Sequence, residues 1–407
     1  MRLLRRSFRA ARPRRLPGKE WHVAIVVENV PLGTDPRLRK QVDQLLAAGH
    51  RVSVVTMRDS SNRVYRDRRG MRLLEYPSRR EADGPLGHVG EYASAFAWAT
   101  LRLGTLRAHG RIDVLQVCQP PDIYFPLARL LRWTGTRVVV DQRDLMPELF
   151  RSRYPGGSSA VERVLHLFER RTQKVAHASI TVNHYLAERL RAAGGGRSEV
   201  SVVWNGPVLA RALEAVPDPR LTPAGTRLVV WVGKMGRQDR VDLLLDVAED
   251  VVRRHGRTDV RFVLLGDGEC LEELRNDAAV RNLGPWVTFS GWVTEPEVFA
   301  HLASADAGMD TSLQQEVSPV KAMEYMAQGL PFVCFDLRET RALCDGSAVL
   351  VPPGDVGAAA DALLDLLDDV GRRTRLGENG RRRIRDELAW EHQAEVYLRV
   401  VGPGAPA

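Results

Sequence analysis

The chain is 407 residues long, too long for one ordinary hydrophobic core and of a size for two or three domains. With 44% hydrophobic and 27% charged residues it reads as globular, and no run approaches the roughly 18 uninterrupted apolar residues of a membrane-spanning helix. Of its 59 basic residues eight lie in residues 1–19, which hold no acid, and the other 51 are matched by 51 acidic residues, so the net charge of +8 belongs to that tail. The body shows no basic cluster with interleaved aromatics, and no nucleic-acid partner is expected.

The tail, MRLLRRSFRAARPRRLPGK, lacks the apolar core of a signal peptide. Two readings stay open for it: a disordered extension from an upstream start codon, or a segment that meets an anionic membrane surface at about 1 kcal/mol per basic residue. After it, WHVAIVVEN (21–29) is a continuous apolar run of buried-strand type, followed by the loop VPLGTDPR and by LRKQVDQLLAAGH with helical period and a glycine stop. RVSVVTM, DVLQV, RVVVD, ASITVN and VSVVWN repeat the strand pattern with helical segments between them. Strands without alternation, separated by helices, predict a parallel sheet covered on both faces. Within this region EYASAFAWATLRLGTLRA (91–108) fits a buried core helix, with a helix resting on lipid as the alternative.

Residues 207–226, with Pro217, Pro219 and Pro223, read as a linker. The same grammar then restarts with RLVVWVGK, a helix from about Asp239 to His255, VRFVLLGDGE, WVTFSGWV, ADAGMD, PFVCFD and AVLVPP. The expected organisation is therefore a basic tail (1–19), a first Rossmann-like domain (20–206), the linker, a second such domain (227–385) and a terminal amphipathic helix (386–407) able to pack back on the first domain. The fold class is α/β, two doubly wound parallel-sheet domains facing across a cleft, with ligands at the carboxyl ends of the strands.

Cys118, Cys270, Cys334 and Cys344 have neither metal-ligand spacing nor a disulfide pattern and are expected reduced, buried and cytosolic. Gly233 and Gly236 flank Lys234 in GKMGRQDR, and GDG (266–268) follows an apolar strand; glycine permits close backbone approach and cations offset phosphate charge. In EVSPVKAMEYMAQGLP the sequence predicts Ser318 as N-cap, Pro319 as first helical residue and Gly329 as the stop. Val320, Met323 and Ala327 then form a core face, while Lys321 and Glu324 form either an i, i+3 surface pair or part of an anion site at the helix start.

Together these segments resemble retaining glycosyltransferases of family 4, the glycosyl transferases group 1, which have the GT-B fold. VGKMGRQDRVDLLLDVAE, FVLLGDGE, FSGWV, ADAGMDTSLQQEVSPVKAMEYMAQGLPFVCFD and VPPGD carry the likeness in the second domain; CQPPD (118–122), DLMPE (144–148) and NGP (205–207) carry it in the first. The resemblance implies that Glu324 binds the nucleotide ribose, that Glu316 contacts donor-sugar hydroxyls and that Lys234 and Arg240 hold the diphosphate, with Glu316, Lys234 and Arg240 as the catalytic set. Backbone around Ser318, Pro319 and Val320 meets phosphate, and Gly233, Gly266 and Gly33 line the donor. Cys118 stands where many members have histidine and DQRD replaces a DxHD element, leaving Asp141, Arg143 and Asp144 as cleft candidates.

The implied reaction is transfer of a sugar from a nucleotide-diphosphate sugar, with retention, to a glycan, lipid-linked or small-molecule acceptor in bacterial polysaccharide or glycoconjugate biosynthesis. No Asp-x-Asp element ends a strand, so neither metal nor cofactor is expected. The enzyme is expected in the cytoplasm, peripheral to the inner membrane face. A sugar-nucleotide epimerase of the same fold would need an acid/base pair that none of the ten histidines clearly supplies; a non-catalytic sugar-nucleotide-binding partner is the alternative outside enzymes.

Overall fold

A computed structural model describes residues 20–77, 84–154, 156–194, 199–314 and 318–402; the basic tail and Glu316 lie outside the described residues. The chain forms two compact units, one of residues up to Trp204 together with those from Ala394 onward, the other Asn205–Gln393.

The first unit is built on β1 (His22–Val26), β2 (Arg51–Met57), β3 (Met71–Tyr76), β4 (Val114–Gln119), β5 (Arg137–Gln142), β6 (Ala178–Thr181) and β7 (Glu199–Val202). They run in the order β3-β2-β1-β4-β5-β6-β7, with every neighbouring pair parallel. All residues of β1 and β4 are buried, as the unbroken apolar runs require of strands covered on both faces. The edge strand β3 was not expected: MRLLEY alternates in exposure because only one flank and one face are covered. The Gly84–His109 helix buries Ala95, Ala99, Leu103 and Leu106 in this core, which favours the core-helix reading over the lipid one. From the chain's end, the Tyr397 hydroxyl donates to Gln116 Oε1 at 2.7 Å and the Arg137 guanidinium donates to the Val400 carbonyl at 3.1 Å.

In the second unit β8 (Arg227–Val232), β9 (Val260–Leu265), β10 (Val287–Gly291), β11 (Ala307–Asp310), β12 (Phe332–Phe335) and β13 (Ala348–Val351) are ordered β10-β9-β8-β11-β12-β13, again all parallel. Residues 207–226 belong to this unit and carry a helix, Leu209–Leu213, whose Ala212 carbonyl accepts a hydrogen bond from the buried Gln328 amide. The helix expected from Asp239 runs over Val241–Arg253, because Asp239 closes a 3-10 turn first. All four cysteines are buried and free.

Candidate active site

A doubly wound sheet opens its ligand crevice outside the carboxyl ends of the two neighbouring strands whose crossovers run in opposite directions. In the second unit these are β8 and β11, and the segments that leave them carry most of the expected donor residues. A Cβ on Gly266 would stand 1.8 Å from the Gly233 carbonyl oxygen, and one on Gly268 2.5 Å from that of Met235. The glycines thus let two strand-end loops lie directly on one another, joined by the Met235 amide to the Asp267 carbonyl at 2.9 Å and the Cys270 amide to the Met235 carbonyl at 3.0 Å. Their first task is this loop-on-loop layer.

On it Lys234 and Arg237 are exposed and form no ion pair among the described residues. Arg240, expected as the second cation, adopts a left-handed backbone (φ 48°, ψ 46°) and grips Asp242 through two guanidinium nitrogens at 2.8 and 3.0 Å. Its hydrogen bonds to Asp242 hold the guanidinium above its ordinary range, so it stands engaged where Arg237 is free.

The motif helix spans Val320–Gln328, one residue later than expected. Pro319 takes the cap position with φ −76° and ψ 74°, an inverse γ-turn in which the Val320 amide donates to the Ser318 carbonyl at 2.8 Å. Ser318 is therefore not a side-chain cap, and its hydroxyl is buried with no partner among the described residues. Val320 is no core residue at 36% exposure, whereas Met323 and Ala327 are buried as expected. Tyr325 locks the helix under the strand ends: its hydroxyl donates to the Met309 carbonyl at 3.0 Å and accepts from the Val232 amide at 3.2 Å. That anchor fixes the half-buried Glu324 one residue before it.

Lys321 contradicts the expected surface pair with Glu324. Its side chain is only 10% exposed, and its ammonium donates to Asp239 at 3.2 Å and Asp310 at 3.3 Å while lying 5.0 Å from the centre of the Trp231 ring. Burial opposes the charge, but the carboxylates of Asp310 and Asp239 outweigh it and hold the ammonium above its ordinary range. Burial also raises the Asp239 carboxyl, an effect Lys321 offsets only in part. This triad joins the β8 loop, the end of β11 and the helix start, and sequence reasoning missed it because the partners lie 82 and 11 residues away.

The first unit handles its charges differently. Asp141, fully buried, accepts from Arg37 at 2.8 Å, Gln41 at 2.9 Å and Arg143 at 3.3 Å, and Arg143 also pairs with Asp35. Burial would raise the Asp141 carboxyl, yet the two guanidinium groups hold it below its ordinary value. Asp141 and Arg143 are thus internal braces, not free candidates. The Cys118 thiol, 3.5 Å from an Arg143 nitrogen, is pushed up to about 12 by burial and is no nucleophile at neutral pH. Asp144 is exposed and its carbonyl accepts from Gln142 at 2.9 Å, but the following helix starts behind Leu145 without a side-chain cap. Gly33 is required by packing, since a Cβ there would stand 2.3 Å from the Ser61 backbone, and its amide donates to Asn62 at 2.9 Å.

Residues 33–206 match the family model described as glycosyl transferase 4-like domain, and residues 226–369 match that of the glycosyl transferases group 1. Among curated relatives, the alpha-D-kanosaminyltransferase of Streptomyces kanamyceticus is 30% identical over 37% of this chain and 39% of its own length. The lipopolysaccharide core biosynthesis glycosyltransferase LpsE of Rhizobium meliloti is 30% identical over 53% of this chain and 61% of its own. The chain thus spans less than two thirds of the length of these relatives. The structure of HepE of Anabaena in complex with UDP-glucose shares the fold, with a TM-score of 0.70 over 92% of this chain and 98% of that one at 15% identity. With two parallel-sheet units of this topology, and with both of its halves matched in order by these two family models, the chain belongs to the glycosyl transferases group 1, the GT-B family 4 glycosyltransferases.

Proposed function

We propose that the chain is a glycosyltransferase that moves a sugar, with retention, from a nucleotide-diphosphate sugar to a glycan, lipid-linked or small-molecule acceptor in bacterial glycoconjugate biosynthesis. One observation carries the reading: two cations without an ion pair among the described residues, Lys234 and Arg237, stand on the loop layer that Lys321 ties to the start of the 320–328 helix. The first amide groups of a helix have no intrahelical acceptor, and with flanking cations they suit a diphosphate.

The chemistry follows from charge. As the bond from the anomeric carbon to the phosphate oxygen breaks, negative charge grows on the leaving diphosphate, and the acceptor oxygen forms its bond on the same face. Lys234, Arg237 and the helix start would stabilise that charge, each well-aimed donor being worth about 3 kcal/mol of barrier. The acceptor proton leaves with the departing phosphate oxygen, so no carboxylate nucleophile is needed. In this reading Glu324 takes the ribose, Glu316 takes the sugar hydroxyls, and the fixed cations make a metal ion unnecessary. No helix among the described residues is long and apolar enough to cross a membrane; contact with an anionic surface at the inner face is assigned to residues 1–19.

The test is a thermal-shift panel of UDP-, GDP-, ADP- and dTDP-sugars, first with EDTA and then with magnesium, since a ligand that binds the folded state raises apparent stability by mass action. A shift for one base that survives EDTA is expected, and Glu324→Ala abolishes it while leaving the ligand-free melting curve in place. No shift with any of the four removes the donor reading.

A further inference from the structure

The crevice strands of the first unit are β1 and β4, and several side chains at and beyond their carboxyl ends have no hydrogen-bond partner among the described residues. Glu28, two residues past β1, is 3% exposed, yet its carboxyl forms no hydrogen bond or ion pair among the described residues. The parallel register pairs Val26 with Val117, so two residues on Glu28 comes level with Gln119, the last residue of β4. Both side-chain amide atoms of Gln119 are buried and unpartnered, as is the Tyr124 hydroxyl. Among the described residues the Tyr76 hydroxyl reaches the Val27 carbonyl, at a long 3.5 Å. Buried polar groups are nearly always satisfied, so the unpartnered Gln119 and Tyr124 side chains beside the Glu28 carboxyl mark a place suited to a polar ligand.

The sign of the charge narrows its chemistry. On the neighbouring 84–109 helix Glu91 adds a second carboxylate near Glu28, with His88, 3.4 Å away, as its partner among the described residues. Among the described residues no arginine or lysine pairs with Glu28. Burial, with Glu91 adding to it, raises the Glu28 carboxyl to about 7, so it is half ionised near neutrality and gains from an incoming cation. A ligand hydroxyl would leave the repulsion between the carboxylates in place; an ammonium removes it. Phe96 stacks on Tyr124 with ring centres 6.2 Å apart and gives the crevice an aromatic wall, while Gln119 and Tyr124 offer hydrogen bonds to hydroxyl groups.

We propose that Glu28, with Gln119 and Tyr124, binds a polyhydroxylated amine as acceptor, the ammonium pairing with Glu28. The inference rests on the transfer reading above for calling this ligand the acceptor; the binding itself is independent of it. Two sources share this chemistry, an amino sugar and an aminocyclitol, and the probes separate them: glucosamine and 2-deoxystreptamine, each beside its neutral counterpart, glucose and scyllo-inositol.

Titration calorimetry or ligand-observed NMR on the full-length protein at pH 7.5 should show an amine bound about tenfold or more tightly than its neutral counterpart, the worth of one desolvated charge-assisted contact. Glu28→Gln should bring that preference to within about twofold, and Glu91→Gln should lower it by about threefold, which keeps the test open if the first variant folds poorly. From pH 6 to 8 the amine should bind more tightly as Glu28 ionises, with Glu91, His88, Tyr76, Tyr92 and Tyr124 as the other titratable groups of the crevice. Equal binding of amine and neutral probes by the wild type, binding of neither, or an unchanged preference in both variants overturns the inference. An amine preference without any response to the nucleotide sugars keeps this site and removes the donor reading; the converse removes this site alone.

Discussion

The two units repeat one topology, yet their crevice edges treat charge in opposite ways. At β8 and β11 a lysine is shared by two carboxylates, and Lys234 and Arg237 form no ion pair among the described residues. At β1 and β4 the arginines are drawn inward onto Asp141 and Asp35, and Glu28 is left at the edge with no countercharge among the described residues. One fold thus presents an edge suited to an anion and another suited to a cation, and the difference comes from which side chains the interior neutralises, not from the backbone.

Breaking the inward pairing tests this contrast most severely. Asp141→Asn takes from Arg37 and Arg143 the carboxylate they share, with Asp35 still pairing Arg143, and loss of one partner of a buried pair typically removes about 3–5 kcal/mol. Amide-exchange protection of β5 should fall accordingly, while β12 in the other unit keeps its own. Because the folded Asp141 carboxyl lies below its ordinary value, its contribution is present above the unfolded carboxyl range and is lost as acid protonates the folded state, below about pH 4. Unchanged protection of β5 would refute the brace.

On the opposite edge Gly266→Ala strikes the loop layer itself. The added Cβ meets the Gly233 carbonyl at 1.8 Å on a backbone with φ of +135°, so steric overlap and strain combine to about 2–4 kcal/mol. Nucleotide-sugar affinity should fall at least tenfold, and wild-type affinity in this variant would show that the layer does not shape the donor site. Lys321→Met should act next most strongly: Asp239 and Asp310 lose their shared cation, at about 1–3 kcal/mol, and the donor-induced thermal shift shrinks. Lys321→Arg should recover part of that shift, since charge is kept and only reach changes; equal failure of both variants would point to packing alone.

These contrasts also mark what the sequence could convey. Apolar runs such as WHVAIVVEN and RVVVD announce parallel strands because both faces are buried, and the family motifs place Lys234 and Glu324 on the second unit. Strand β3 escaped because an edge strand mixes Arg72 and Glu75 with its apolar residues. Ser318 looked like a cap because Ser-Pro is a strong local signal, but the turn at Pro319 passes the helix start one residue onward. Charge pairing is where local reading ends: Arg37 meets Asp141 across 104 residues and Lys321 meets Asp239 across 82, distances that no window along the chain spans. Glu28 closes the apolar run of WHVAIVVEN just as Asp141 closes RVVVD, and only three dimensions tell them apart: Asp141 is gripped by two arginines, while Glu28 has no partner among the described residues.

The smallest expected effect sharpens the comparison most. A carboxyl whose folded value is raised to about 7 contributes stability below its unfolded value near 4.5 and loses it as pH rises through 7, the reverse of Asp141. Between pH 6 and 8 the wild type should therefore lose about 1.4 kcal/mol more than Glu28→Gln, because the folded state must release a proton that the unfolded chain has already lost. Denaturant midpoints of the two proteins at both pH values measure the difference, in which the neighbouring buried Asp122, also raised to about 7 by burial, cancels. Parallel pH dependence in the two proteins would mean that Glu28 is already neutralised from within, and the cation edge would go with it. A difference of the expected sign means that the first unit bears an unfavourable charge at neutral pH, which an incoming ammonium relieves.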